Sequence, residues 1–269
     1  MIYRFTFLFI FSFISQIVCS QPLLSNDKQG LQLAKECVDH MNNYDWEKFD
    51  RSVKKLLPKY EKHPAYPLLL SMKIYNIGLL DLNAPDENEE YLELLNQIVT
   101  YSEAILDQNK NSYEGLFFAL CGYGYRGQYY SLNGRSIKAI SEGQKAYKYF
   151  KKGKVYKDDF YDFYFMSGLF KFYLVQYPES HPIVKPMMWF FEDGDKREGL
   201  EELDFASQYG NFTKATALNY LAYLNIRYEA NYDKALHYAE LFALDYPQND
   251  LGIITYTTAL LLLKKYHHA

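Results

Sequence analysis

From Asp27 onward, apolar residues recur at three- and four-residue spacing, and no stretch shows the strict alternation of a half-buried strand. Leu31, Ala34, Cys37, Val38 and Met41 fall on one helical face. Trp46, Phe49, Val53, Leu56 and Leu57 stripe a second helix after the break at Asn43-Tyr44-Asp45. Pro64 and Pro67 open a third, through Leu70, Ile74, Ile77 and Leu80; the loop Asn83–Asp86 closes it, with Asp86 as the expected N-cap of a helix reaching Leu106. Further helical patterns cover 113–130, 137–150, 159–175, 196–207, 213–228, 232–244 and 251–265. About eleven helices with short connections mean an all-α chain, either a bundle or a stacked solenoid. Breaks near Asn43, Asn83, Asn133, 178–195 and Asn231 recur about every 40–50 residues, which is repeat spacing and favours the solenoid.

The chain's start reads differently. Met1–Arg4 is short and positive, Phe5–Val18 is apolar apart from Thr6, Ser12, Ser15 and Gln16, and Val18-Cys19-Ser20 offers small residues before Gln21. An apolar run of roughly 14 residues is shorter than the ~20 a spanning helix needs. Residues 1–20 are therefore expected to be a cleaved signal peptide, with a retained anchor helix or lipoprotein processing at Cys19 as alternatives. Export would place the mature protein in the periplasm or envelope of a Gram-negative bacterium. Cleavage leaves Cys37 and Cys121, each inside an apolar helical pattern and expected as two separately buried thiols. With 29 Lys+Arg against 33 Asp+Glu and no long basic block, a nucleic-acid surface built on phosphate neutralisation is not expected.

The clearest motif lies in 216–250. Its tail, YDKALHYAELFALDYPQND, carries Ala235 as a small helix-B residue, Ala239 and Phe242 on the same face, and Pro247 after the helix. That tail resembles a tetratricopeptide repeat; in the preceding helix Leu221-Ala222 holds the Leu-Gly position, and a weaker copy begins at Tyr44. A longer resemblance, over about 114–249, is to an exported bacterial tetratricopeptide-repeat family, itself distantly similar to the inclusion-body-clearance group. Gly168, Leu169, Tyr173, Pro178, Gly194, Asp195, Gly199 and Leu200 hold its places, while Lys171 departs from the pattern. The resemblance implies a right-handed solenoid of stacked antiparallel helical hairpins over 21–269, one domain with an apolar insertion at 176–194. It implies binding along a concave groove and no reaction.

Motifs for chemistry are weak. Gly122-Tyr-Gly-Tyr-Arg-Gly127 matches GxGxxG, but Gly115, Ala119 and Gly122 share one helical face, so the expectation is a smooth packing strip. His181 with Glu192, Asp193 and Asp195 lacks metal-ligand spacing, and a solvated loop with an aspartate N-cap is expected there; no metal, cofactor or catalytic residue is assigned. Cys121 sits among Phe117, Phe118, Leu120 and Tyr125, a setting that raises a thiol pKa. Asn211-Phe-Thr213 is a glycosylation sequon only in a eukaryotic host.

Two features carry the functional expectation. Tyr123, Arg126, Tyr161, Tyr164, Asn219, Tyr223 and Arg227 are candidates for a partner-binding groove, since tyrosine with arginine is the composition of interface hot spots. Met187, Met188, Trp189, Phe190 and Phe191 are a candidate apolar lid or contact patch, either folded back over the groove or meeting a partner or membrane. The expected function is a noncatalytic exported scaffold or adaptor that binds a protein or peptide. The alternative is a small-ligand or glycan-binding protein or enzyme using the aromatic cleft.

Overall fold

The computed structural model describes residues 22–76, 85–180, 182 and 192–265. The expected signal peptide and the apolar block Met187–Phe191 lie outside the described residues. Among the latter, every regular element is helical: α1 (Lys28–Asn42), α2 (Trp46–Tyr60), α3 (Ala65–Asn76), α4 (Pro85–Gln108), α5 (Tyr113–Leu132), α6 (Ser136–Gly153), α7 (Asp162–Ser180), α8 (Lys196–Tyr209), α9 (Lys214–Arg227), α10 (Tyr232–Asp245) and α11 (Asp250–Leu262). Consecutive helices pack on one another, giving an all-α helical-repeat solenoid.

Short polar residues start these helices. The side chains of Asp27, Asp45, Ser112, Asp195, Asn231 and Asn249 accept from the amides of Gln29, Lys48, Gly115, Glu198, Lys234 and Gly252, satisfying donors the first turn leaves unpaired. Asp86 is not such a cap. α4 starts one residue earlier, at Pro85, whose missing N–H and fixed φ suit a first helical position. Pro178 does not end α7 either, because the helix runs on to Ser180. A proline in the last turn sacrifices few bonds, and the Gln176 amide there donates to Ser180 Oγ at 2.8 Å.

The repeat shows itself at the ends of the odd-numbered helices. Asn42, Asn76, Asn133 and Asn225, closing α1, α3, α5 and α9, each donate from Nδ2 to the carbonyl four residues back, at 2.8 Å in every case. In three hairpins the residue before the next helix's N-cap is left-handed: Tyr44 (φ 55), Gly134 (φ 68) and Ala230 (φ 49). The same device thus turns α1 into α2, α5 into α6, and α9 into α10.

Small residues set the helix spacing. A Cβ on Gly122 would stand 2.9 Å from Ile98 Cγ2 and 3.2 Å from Val99 N on α4, and one on Gly115 would meet Ile105 and Leu106 at 3.0 Å. The GxGxxG match thus lies in mid-helix, where Gly115 and Gly122 pack closely on α4, Gly127 faces α6 and Gly124 faces open space. Gly168 and Gly199 face each other where α7 crosses α8; a Cβ on either would lie 2.7 Å from the other's carbonyl oxygen. Ala235, Ala239 and Phe242 are buried together on α10. Cys37 is buried, but Cys121 keeps partial solvent contact; both thiols are free.

The core runs along the stack as three clusters. One cluster runs from α1 to the start of α7, a second joins α7, α8 and α9, and a third joins α9 to α10. Phe212, in the α8–α9 connection, packs its ring 6.1 Å from Phe117 and 5.5 Å from Phe118 of α5. Two buried carboxylates fasten connections to this core. Glu114 of α5 accepts from the amides of Leu24 and Ser25 at 2.9 Å and from Ser25 Oγ at 2.5 Å, while His63 Nε2 lies 2.6 Å away. His63 Nδ1 accepts from Ala65 N, which leaves Nε2 as the protonated nitrogen facing Glu114. Asp162 of α7 gathers the amides of Asn211, Phe212 and Thr213 and the Thr213 hydroxyl.

Candidate functional site

The odd-numbered helices turn tyrosines towards a shared inner surface. Tyr75 on α3 is largely exposed. Cys121 and Tyr125 on α5 are partly covered. Tyr220 on α9 is half-buried, and Tyr223, nearly one turn further, is exposed. Burial raises the Tyr125 hydroxyl, and Cys121, Tyr91, Tyr220 and Tyr75 act on it in the same direction. Burial raises the Tyr220 hydroxyl, and Tyr75 of α3 acts on it in the same direction although well over a hundred residues separate them in sequence. Tyr173 of α7 extends the surface: burial raises its hydroxyl, with Tyr228, Tyr220 and Tyr223 adding to the effect. Tyr223 and Tyr228 stand with rings perpendicular at 6.0 Å.

The candidates named from sequence separate into three places. Asn219, Tyr223 and Arg227 form a stripe along one side of α9, with Tyr223 and Arg227 exposed. Tyr161 and Tyr164 belong to the α7–α8 seam, packed on Phe205 at 5.4 and 4.2 Å, with the Tyr164 hydroxyl donating to Asp158 at 2.5 Å. Tyr123 and Arg126 are turned between α4 and α6. The Tyr123 hydroxyl donates to Glu103 at 2.6 Å, and its ring stacks on Tyr149. Arg126 donates to Glu142 and to Asn96 Oδ1, so its guanidinium is already engaged in holding three helices together. Sequence reasoning missed Tyr75, Tyr125, Tyr173 and Tyr220. The signal was present in the Cys121/Tyr125 spacing of four and the Tyr220/Tyr223 spacing of three, but it does not separate a core aromatic from an inner-surface one.

The chemistry available to this surface follows from its protonation. Burial pushes the Cys121 thiol up, and Asp162 adds to the rise; the hydroxyls of Tyr125, Tyr173 and Tyr220 are raised as well, by burial first. At neutral pH these groups keep their protons. They offer hydrogen-bond donors and ring faces, not nucleophiles or bases. Among the described residues no group of three or more His, Cys, Asp or Glu is placed to hold a metal, and no helix is long and apolar enough to cross a membrane. Asp195 caps α8, and Glu192 pairs with Lys154. The chain matches no protein-family model, no curated protein and no solved structure.

Proposed function

We propose that the protein is a noncatalytic, exported tetratricopeptide-like adaptor that grips a protein or peptide partner along the tyrosine-lined inner surface of its solenoid, in the cell envelope. The observation that carries the reading is the convergence of Tyr75, Tyr125, Tyr173, Tyr220 and Tyr223 from four separate helices, with Arg227 beside Tyr223. Tyrosine supplies large contact area at small conformational cost and a hydroxyl that can pair with a peptide backbone. Stacked repeats hold such residues on rigid helices along one surface, which suits an extended partner.

A photo-crosslinking side chain at position 223, in protein recovered from the host's envelope fraction, tests the reading. The expected result is one stoichiometric protein adduct, lost in Tyr220→Ala, with binding weakened about thirtyfold as at an interface hot spot. Adducts spread over many proteins, unchanged by Tyr220→Ala, would defeat it. N-terminal sequencing of the same preparation tests export: a mature chain beginning at Gln21 is expected, and one retaining Phe5–Val18 would contradict the signal-peptide reading.

A further inference from the structure

The outer face of α6 is unlike the rest of the molecule. Residues 135–157 hold eight of the chain's basic side chains and one acidic one, Glu142, in a protein whose net charge is -4. Glu142 is buried and bound by Arg126 and Lys145, so it offers little counter-charge outward. Lys154 and Lys157 pair with Glu192 and Glu202. Lys138, Lys148, Lys151 and Lys152 are exposed, and none forms an ion pair among the described residues. Lys148, Lys151 and Lys152 follow at helical neighbour spacing; the C-terminal end of α6 favours cations, but their mutual repulsion is relieved further when something negative lies over them.

Beside these lysines the same helix exposes aliphatic residues. Ile137 is 87% exposed and Ile140 is 63% exposed, and Leu132, at the preceding turn, is 50% exposed. The apolar side of α6 is already spent inward, on Ala146 and Phe150. These three are therefore left largely or half outside the internal packing. Cations next to outward aliphatic side chains match a surface whose headgroups are anionic and whose interior is hydrocarbon. Nucleic acid would use the charges but has no place for the isoleucines.

We propose that the outer face of α6 is a docking site for an anionic phospholipid surface, with Ile137 and Ile140 entering the headgroup boundary and Lys148, Lys151 and Lys152 lying over the phosphates. It is separate from the tyrosine-lined inner surface and stands or falls independently of it.

The test is co-sedimentation of the intact protein with phosphatidylcholine vesicles, with and without phosphatidylglycerol. An apolar segment elsewhere in the chain would bind both kinds, so the readout is the increment that phosphatidylglycerol adds. That increment is expected to be large at low salt and to fall as salt rises. Removing positive charge as Lys148→Gln or Lys152→Gln should cut it about fivefold each, with Lys→Arg restoring it. Ile137→Ser with Ile140→Ser should weaken binding while leaving its salt dependence in place. All of these positions are exposed, and unchanged far-UV circular dichroism confirms that the variants fold. No increment with phosphatidylglycerol, or one that the lysine variants leave unchanged, overturns the proposal. So does an increment insensitive to the isoleucine pair and displaced by soluble polyaspartate, which would assign the face to an acidic protein instead.

Discussion

Glu114 and Asp162 are both carboxylates sealed from water at the start of odd-numbered helices, yet their surroundings drive them in opposite directions. For Glu114, burial works to raise the pKa, but His63, the Ser25 hydroxyl and the Ser25 amide outweigh it and hold the carboxyl below its ordinary value. A depressed folded pKa contributes stability above the unfolded value, and that stability is lost as the pH falls through the folded value. Thermal melts taken downward from about pH 4.5 should therefore show a steep loss in the native chain and a shallower one in Glu114→Gln; matching slopes would exclude Glu114 from the acid transition. For Asp162 burial wins over its donors, and the pKa is raised. A raised folded pKa has the other sign, since ionising Asp162 as the pH rises costs stability. The value of this side chain is thus its geometry as an acceptor. Asp162→Ala strands the amides of Phe212 and Thr213 and should cost about 2–5 kcal/mol by urea unfolding, whereas Asp162→Asn, which keeps one oxygen among those donors, should cost clearly less.

Helices and turns were the most legible level of the sequence. The eleven helical segments were legible because apolar residues recur at three- and four-residue spacing between breaks, and six of the helices open on a side chain that caps the first turn. What period does not encode is how closely two helices approach. Gly168 and Gly199 stood out only through a family resemblance; the structure supplies the reason, backbone against backbone at the α7–α8 crossing. Gly199→Ala would set a Cβ 2.7 Å from the Gly168 oxygen and 2.9 Å from Phe172 N, neither of which is a flexible side-chain end. Chemical denaturation should show a loss of about 1–3 kcal/mol, more than any propensity gain from alanine. The turn residues predict the reverse sign. Ala230 holds φ 49, a region alanine enters at a cost of roughly 1 kcal/mol, so Ala230→Gly should raise the melting temperature where a helical position would lower it. The inner surface was less legible, since Tyr123 and Tyr223 look alike on a helical wheel. Only the positions of Glu103 and Tyr149 decide that the first is enclosed between helices.

Ordinary solenoids have two free ends, and each terminal repeat lacks one neighbour, so the ends open first. Here the two ends meet. The Tyr246 hydroxyl after α10 donates to Asp39 of α1 at 3.0 Å, Asn249 Nδ2 donates to the Asn42 carbonyl at 2.8 Å, and Asn43 Nδ2 donates to the Asp245 carbonyl at 3.3 Å. Tyr246 is nearly enclosed, and burial raises its hydroxyl, with Asp39 adding to the rise, so it remains a donor throughout the physiological range. Native-state hydrogen exchange reads this directly. In the intact chain, amides of α1 and α10 should be protected nearly as well as those of α5, contrary to the gradient of an open stack. Tyr246→Phe removes one donor without changing shape and should cost only about 1 kcal/mol in global stability. Its effect on exchange should be uneven, with α1 and α10 speeding up while α5 keeps its protection. Uniform acceleration across all helices would mean that the contact only adds stability and does not hold the ends together.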